Sequence, residues 1–494
     1  MIKALPEDSH TTVLLFSSPQ AILNKSFLWL ELIDWLIVNE RLSMLCVDEV
    51  HLFVHFGMTF RAEFKSLTPV LFSKLRVRGS NTRSSIPILF MTATCTKSIV
   101  DTVEKIVGFM FDKDSNIFWP RPDEMQHRQV LLDVQYSTQA LHVFKKRTQS
   151  LLKHSSAEKY IVYSNNRATV DRVSNKLCEW IDAHGFKADL LKIVGTLLRE
   201  QKFYHIRVFC RSLCDNIDVF EAGCSEAKRP FNPQLLVATS GAANAGIDDS
   251  DVHGVFRLEF PPSIIDVNQE KGRAGRRFHA DPSSDWYLLC ISLESYVVLL
   301  KRLHDTPAAN KQIPYFKTQE ADMQDCLTAF ILPQHCQQAW MEMKQSNPYI
   351  PLSGTPLPCL DACAYCLGRY KTMFPTVVRA GIQSVFLQLY FGENPMKTRP
   401  TIDKELVDAI KNYPGSNRLL FGINSNKKPE PVLIKKMILM LLAAKILRYV
   451  IERKESTAGK FTMSVFGSLA FVSGDPTKLA LNEASYWTLL PLKD

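Results

Sequence analysis

Two adjacent acids follow a short apolar run and could take part in nucleotide chemistry. The run 45–47 is followed by Asp48 and Glu49, and His51 comes two residues later. If the run is a strand of a parallel sheet, the acids lie at its carboxyl end, where α/β proteins bind ligands. One carboxylate can hold Mg²⁺ and the next can orient an attacking water, so we assign Asp48 to the metal and Glu49 to the water. A solvated turn after a buried strand is the alternative.

A basic motif in the middle of the chain could bind phosphate. Residues 269–277 read Gln-Glu-Lys-Gly-Arg-Ala-Gly-Arg-Arg. Arginine is always charged and grips phosphate through a planar fork, while glycine lets the backbone come close. We assign Arg276 to the charge on a transferring γ-phosphate, with Arg273 beside it and Gln269 in nucleotide binding. A basic surface helix is the alternative explanation.

Three cysteines stand at spacings typical of metal ligands. Cys359, Cys363 and Cys366 are separated by three and then two residues. Thiolates this close repel one another unless a soft cation gathers them, and Zn²⁺ takes four in a tetrahedron. The spacing therefore predicts a zinc site, with free loop cysteines as the alternative.

The elements that position these residues alternate between strands and helices. Apolar runs at 13–16, 44–47 and 88–91 predict strands in a first lobe. Four more runs predict strands in a second lobe, at 160–163, 235–238, 255–260 and 286–291. Between them an apolar stripe over 170–181 predicts a helix that stops at Gly185. This alternation predicts an α/β fold with parallel sheets covered by helices.

The second half of the chain differs in composition. Residues 333–375 are rich in Pro, Cys, Gly and Ser and predict a loop-dominated module. Apolar stripes over 402–410 and 433–447 then predict two helices, and segments 449–452 and 461–466 predict a hairpin. Helix, helix, hairpin is the pattern of a winged-helix domain.

Composition narrows the class of protein. The 494 residues are 46 % hydrophobic and 22 % charged, which is ordinary for globular domains. The net charge of +9 favours a polyanionic partner without proving one. The 12 scattered cysteines do not suit a secreted disulfide scaffold. No apolar run approaches the roughly 20 residues of a membrane span, so we expect no membrane association.

Several of these motifs resemble those of superfamily 2 helicases of the RecQ family. Asp-Glu-Val-His at 48–51 and Thr92-Ala-Thr94 resemble motifs II and III, which places Thr92 and Thr94 near the nucleotide. Residues 54–61 resemble the aromatic-rich loop that couples DNA binding to ATP hydrolysis, although the usual Trp is Phe56. The DNA-binding residues that this implies are Phe56, Phe60 and Arg61.

The second lobe continues the resemblance. Residues 269–276 are similar to motif VI, residues 237–248 to motif V and residues 160–167 to motif IV. Motif V implies that Gly246 and Asp248 sense nucleotide, and motif IV implies that Asn165 contacts DNA. Ser18, in a Ser-Ser-Pro segment, resembles a residue that touches the DNA backbone.

The resemblance implies a domain order and a set of ligands. Residues 1–120 would form an incomplete RecA-like lobe, 121–305 a second RecA-like lobe, 306–375 a zinc module and 376–494 a winged-helix domain. The cofactors would be ATP, Mg²⁺ and Zn²⁺, and the partners single-stranded DNA and duplex junctions. The fourth zinc ligand would be Cys336 or, alternatively, Cys326. The family also implies a nuclear protein of DNA repair and recombination.

One expected motif is missing from the sequence. A helicase motor needs a phosphate-binding loop such as G-x-x-x-x-G-K-[ST], and the chain contains none. Three interpretations follow. The first is a 3′–5′ DNA helicase whose first lobe is incomplete here, so that we expect this chain to be inactive alone. The others are a DNA-binding remnant or regulator without ATP turnover, and a zinc-dependent DNA-binding or interaction protein. The sequence leaves the oligomeric state open.

Overall fold

The computed structural model describes part of the chain, in two compact units. The described residues are 12–24, 28–51, 66–75, 86–112, 117–118, 130–153, 158–186, 188–193, 233–239, 247, 251–276, 285–305, 313–331, 336–344, 363, 366, 368, 377, 379–391, 405–445, 447–454 and 464–471. The first unit comprises Met1–Arg121 with Glu342–Tyr349, and the second comprises Pro122–Met341 with Ile350–Asp494.

The first unit contains a small parallel sheet. Strand β1 (Leu45–Val47) pairs with β2 (Ile88–Phe90), in the register Leu45 to Ile88. The helices are α1 (Pro19–Leu23), α2 (Trp29–Val38) and α3 (Lys97–Val107), with a π turn at Thr68–Phe72 and an α turn at Ser73–Leu75. Thr96 caps the start of α3 through its side chain, and Gly108 ends it in a left-handed conformation.

The predicted buried strand at 13–16 is wrong. Those residues form no strand, and Leu14 and Phe16 are 76 % and 87 % exposed. Within the described residues β1 and β2 pair only with each other, so no strand lies beside the apolar segment to bury it. The strands predicted at 44–47 and 88–91 are present, but each is one residue shorter, without Met44 and Met91.

The second unit is built on a six-stranded parallel sheet. Its strands are β3 (Leu131–Tyr136), β4 (Lys159–Ser164), β5 (Asp189–Ile193), β6 (Pro233–Thr239), β7 (Val252–Arg257) and β8 (Trp286–Ile291), in the spatial order β3-β8-β7-β4-β6-β5. Every pairing is parallel. The predicted α/β fold with parallel sheets is confirmed, although β7 ends at Arg257 instead of residue 260.

Helices cover both faces of this sheet. They are α4 (Ala140–Lys153), α5 (Arg167–His184), α6 (Ile264–Lys271) and α7 (Leu293–Asp305). The predicted stripe of α5 is buried, and Gly185 ends the helix with φ +61° as predicted. Asn166 caps its start by accepting a hydrogen bond from the Thr169 amide.

The rest of the second unit is helical up to a terminal hairpin. The helices are α8 (Ile313–Ile331), α9 (Gln337–Lys344), α10 (Arg379–Phe391), α11 (Glu405–Asn412), α12 (Ser416–Phe421) and α13 (Pro431–Ala443), and the last turn of α9, from Glu342, is assigned to the first unit. Strands β9 (Leu447–Lys454) and β10 (Ser464–Phe471) are antiparallel. The long predicted helix ends at Ala443, and Leu447 opens β9 instead. The winged-helix identity and the four domain boundaries stay predictions.

The C-terminal helices share one apolar core with the sheet. A single cluster of buried residues runs from Val130, just before β3, through Phe330 on α8 and Phe386 on α10 to Leu447 on β9. A second cluster, including Phe144 on α4 and Trp180 on α5, covers the other face. Among the described residues, no helix is long and apolar enough to span a membrane.

Candidate functional site

The acid pair stands at the carboxyl end of β1, as predicted. The Glu49 amide donates a 2.8 Å hydrogen bond to Asp48 Oδ1, and the Asp48 side chain is exposed. Glu49 has φ +52°, a left-handed conformation that costs a residue with a side chain about 1–2 kcal/mol. Such backbone strain is frequent at functional sites, and here it sets the direction in which Glu49 leaves the strand.

A buried histidine ties the acid pair to the threonine motif. His51 is 3 % exposed, and its Nδ1 lies 3.0 Å from Thr92 Oγ1 and 3.2 Å from Glu49 Oε2. The Thr92 hydroxyl donates to the Thr94 carbonyl at 3.1 Å and accepts from the Thr94 amide at 3.2 Å. His51 Nδ1 therefore lies within hydrogen-bond distance of both the Thr92 hydroxyl and the Glu49 carboxylate.

Backbone pairing holds these two segments together beyond the strands. The Val50 amide donates to the Met91 carbonyl, and the Met91 amide donates to the Val47 carbonyl, both at 2.9 Å. The structure therefore brings Asp48, Glu49 and His51 into one cluster with the threonine motif at 92–94. This arrangement can hold a hard cation at an exposed carboxylate and polarise a water beside Glu49.

In the second unit the basic motif begins on α6 and continues past its end. Arg273 Nη1 donates to the Ile247 carbonyl at 2.8 Å, and Arg276 Nε donates to the Gly272 carbonyl at 3.0 Å. Gly275 has φ +70°, and a Cβ there would lie 2.6 Å from Val130 Cγ2. The motif is thus packed against the sheet, and Arg273 reaches the segment in which motif V was predicted.

One residue of this motif was missed by the sequence argument. Gln269 is half-buried on α6, but Glu270 beside it is completely buried. The Glu270 carboxylate accepts hydrogen bonds from Arg257, at the end of β7, and from Tyr287 on β8, the latter at 2.9 Å. The signal was present, because Ile264, Val267 and Glu270 recur at helical spacing on the inner face of α6.

The predicted DNA-binding residue Asn165 uses its amide inside the protein. Its Nδ2 donates to the Phe260 carbonyl at 2.8 Å, and its Oδ1 accepts from Arg257. Its backbone amide donates to the Glu259 carboxylate at 2.7 Å. Ser18 caps α1 by accepting a 3.2 Å hydrogen bond from the Ala21 amide. DNA contacts by Asn165 and Ser18 stay predictions.

Three cysteines lie together beside the edge strand of the sheet. The sulfur atoms of Cys336, Cys363 and Cys366 are all within 4.8 Å of one another, and the first two are 3.9 Å apart. A tetrahedral zinc site with Zn–S distances of about 2.3 Å has S–S edges of about 3.8 Å. These three residues therefore fit Zn²⁺.

Local structure holds two of these cysteines in place. Cys336 precedes α9, and the Ala339 amide donates to its sulfur at 3.4 Å, which favours a thiolate. Cys363 forms a parallel bridge with Leu132 of β3. The alternative ligand Cys326 is not part of this group, and burial raises the pKa of its thiol well above its usual range.

Six predicted site residues lie outside the described part of the chain. These are Phe56, Phe60, Arg61, Gly246, Asp248 and Cys359.

Sequence comparison finds helicases among known proteins. No protein-family profile matches the chain. Helicase Q1 of Caenorhabditis elegans is 25 % identical over 235 residues, 48 % of this chain and 31 % of that protein. ATP-dependent DNA helicase RecQ of Pasteurella multocida is 26 % identical over 271 residues, 54 % of this chain and 34 % of that protein. The chain thus spans about a third of the length of these two curated relatives.

Comparison of structures finds proteins of lower sequence identity. Saccharomyces cerevisiae Dbp5 bound to RNA and ADP BeF3 is 13 % identical with a TM-score of 0.34, covering 60 % of this chain and 61 % of Dbp5. The DUF1998 helicase MrfA bound to DNA and AMPPNP is 16 % identical with a TM-score of 0.36, and the match covers 68 % of this chain and 44 % of the MrfA chain. Both TM-scores are low, and the similarity to RecQ-type helicases lies in the amino-acid sequence. Over about half of its length, the chain is similar in sequence to RecQ-type ATP-dependent DNA helicases.

Proposed function

We propose that the protein acts in ATP-dependent 3′–5′ unwinding of DNA, as a RecQ-type helicase. The observation that carries the proposal is the contact of His51 with both Glu49 and Thr92, which joins two separate motifs into one cluster. In this proposal Glu49 orients the attacking water and Asp48 holds the cation. Bound Mg²⁺ would neutralise charge on the phosphates.

The basic motif supplies the positive charge that the same reaction needs. Arg276 stabilises the charge that develops on the γ-phosphate, and Arg273 stands beside it. The turn at Gly272 supports Arg276, since the Gly272 carbonyl accepts from Arg276 Nε and the Gly272 amide donates to the Asn268 carbonyl. Thr94, Gln269 and the predicted motif V residues Gly246 and Asp248 would contact the nucleotide.

The test is ATP hydrolysis, measured with and without single-stranded DNA, by this chain joined behind a segment that carries a phosphate-binding loop, because the motor needs that loop. We expect DNA-stimulated turnover, and we expect Arg276→Ala and Glu49→Gln to lower it by about a thousandfold with little change in DNA affinity. Arg418→Ala, an exposed arginine on α12, is the matched control and should leave turnover unchanged. Equal loss of turnover and of DNA binding would contradict the roles of Glu49 and Arg276.

A second candidate function is DNA binding without ATP turnover. It is supported by the lack of a G-x-x-x-x-G-K-[ST] loop among the 494 residues. Salt-dependent DNA binding together with background hydrolysis would favour this second function over the first. Nuclear placement, and a role in repair or recombination, are proposals from the family resemblance, tested by locating the tagged protein in cells.

We further propose that Cys336, Cys363 and Cys366 hold Zn²⁺, with Cys359 as the fourth ligand. We expect about one zinc per chain by mass spectrometry of the metal, since four thiolates complete the tetrahedron. Cys363→Ser should lower the zinc content and the melting temperature, because Cys363 is buried against β3. Cys178→Ser, at an exposed cysteine of α5, is the control, and equal zinc in both variants would refute the site.

A further inference from the structure

A pair of opposite charges is buried completely beneath the basic motif. The side chains of Arg257 and Glu270 are both 0 % exposed and form an ion pair. Arg257 also donates to Asn165 Oδ1 and, through Nε, to the Glu259 carbonyl at 3.3 Å. The Tyr287 hydroxyl donates to the other carboxylate oxygen of Glu270 at 2.9 Å. Strands β7 and β8, helix α6 and the loop after β4 therefore meet at one carboxylate–guanidinium pair.

We propose that Glu270 is a positioning residue, whose buried carboxylate fixes the segment 272–276 and thereby sets the placement of Arg273 and Arg276. The value of that placement for catalysis rests on the proposed function. The positioning itself is a property of the fold and can be tested without ATP.

Stability alone does not explain this pair. Removing two charges from water is expensive, and replacing a buried ion pair with apolar residues of similar volume is often neutral or stabilising. Directional hydrogen bonds, in contrast, accept only one orientation of the groups that they join. The contacts of Glu270 with Arg257 and Tyr287 therefore fix the rotation and the register of α6 on the sheet.

The protonation states suit this role. Burial raises the pKa of the Tyr287 hydroxyl well above its usual range, and the charge of Glu270 raises it further. Tyr287 therefore remains a hydrogen-bond donor. Burial lowers the pKa of Arg257, but the surrounding carboxylates outweigh it and the pKa is raised.

The connection from Glu270 to the arginines is short. The Arg273 amide donates to the Glu270 carbonyl at 3.0 Å, so the turn that leaves α6 begins at the positioned residue. Arg273 then reaches the Ile247 carbonyl, and Arg276 folds back on Gly272. A rotation of Glu270 about the helix axis would move the start of this turn and both guanidinium groups with it.

The Arg257–Glu270 pair is also linked to the end of β4 through Asn165. Arg257 holds Asn165, and the Glu259 carboxylate accepts from Asn165, from Ser164 Oγ at 3.0 Å and from Thr169 Oγ1 at 3.1 Å. The loop after β4 and the turn after α6 are therefore fastened to a common anchor. Loss of that anchor should loosen the basic turn even when the apolar core remains intact.

The experiment separates stability from position. The double variant Arg257→Met/Glu270→Leu removes both charges and approximately keeps the volume. It also leaves the Tyr287 hydroxyl and Asn165 Oδ1 without these partners, so we expect a folded protein with a moderately lower melting temperature than the wild type. Hydrogen–deuterium exchange of residues 272–276 should be faster by about tenfold, while β8 stays protected. Trypsin should also cleave the folded double variant faster after Arg273.

Controls and kinetics complete the test. Lys435→Met/Glu294→Gln removes an ion pair between α13 and α7 and should leave exchange at 272–276 unchanged. If the wild type turns over ATP, Arg257→Met/Glu270→Leu should lower kcat more than it raises KM. Wild-type exchange and cleavage in Arg257→Met/Glu270→Leu would overturn the proposal. Absence of turnover in the wild type would count against the proposed function only, because the exchange result stands without it.

Discussion

At the scale of single residues, Gly275 and Gly415 share a backbone conformation but not an environment. Both have φ +70°. A Cβ at Gly275 would lie 2.6 Å from Val130 Cγ2, whereas the nearest atom at Gly415 is Leu419 Cδ1 at 4.0 Å. Val130 is buried at the head of β3, so it has little room to yield.

This difference predicts unequal costs for the same substitution. Gly415→Ala should lower the free energy of unfolding by about 1–2 kcal/mol, because only the left-handed backbone is penalised. Gly275→Ala should cost about 1–3 kcal/mol more, because the methyl group also overlaps Val130. Denaturant titration measures both changes, and Gly275→Ala/Val130→Ala should recover part of the difference. Equal costs at the two glycines would mean that the contact with Val130 is not restrictive.

At the scale of elements, helix α8 carries a largely desolvated acidic residue, Asp322. Burial, together with the negative charges of Asp325 and Asp266, raises the pKa of Asp322 to about 7. The ordinary aspartate pKa is about 3.9, so the folded state binds the proton more tightly than the unfolded state. The protonated Asp322 carboxyl therefore contributes fully to the free energy of unfolding below about pH 4, and this contribution is lost as the pH rises to about 7.

Asp322→Asn should therefore stabilise the protein at high pH. At pH 8 we expect a gain on the order of 2–4 kcal/mol in the free energy of unfolding, and near pH 4 we expect almost none. Thermal unfolding across this range measures the effect. Asp182→Asn, on the exposed side of α5, is the control. A gain that does not change with pH would show that Asp322 is charged throughout.

At the scale of the whole molecule, the two units differ in how many of their large apolar side chains are exposed. Most of the exposed large hydrophobic side chains among the described residues lie in the first unit, including Leu14, Phe16 and Val38. The second unit buries its apolar residues in a core that extends from the sheet to the terminal hairpin. Replacing a phenylalanine should therefore change the free energy of unfolding by very different amounts in the two units.

The predicted contrast is between Phe16 and Phe386. Phe16 is 87 % exposed, so Phe16→Ser should change the free energy of unfolding by no more than about 0.5 kcal/mol. Phe386 is 1 % exposed, and Phe386→Ala should cost about 3–5 kcal/mol through lost burial and a cavity. Chemical unfolding followed by circular dichroism compares them. A large cost at Phe16 would indicate that the segment 13–16 packs against something in solution.

Sequence alone determined the features that depend on residues adjacent in the chain. Strands β1, β4 and β8 are runs of apolar residues, and α5 carries its own cap and its own glycine stop, so each was predictable locally. Edge strands β3 and β5 were missed, since each has a strand on one side only and includes polar residues such as Asp133 and Lys192. The acid, basic and cysteine motifs were likewise visible in residue order.

Tertiary structure alone decided which distant residues meet. The choice of Cys336 over Cys326 beside Cys363 depends on where α8 and α9 are placed against β3, and no spacing rule contains that distance. The pairing of Arg257 with Glu270 requires α6 to fold back over the sheet. Burial of an apolar run requires a neighbour, which is why the residues 13–16 look like a core strand in sequence and are exposed in the fold.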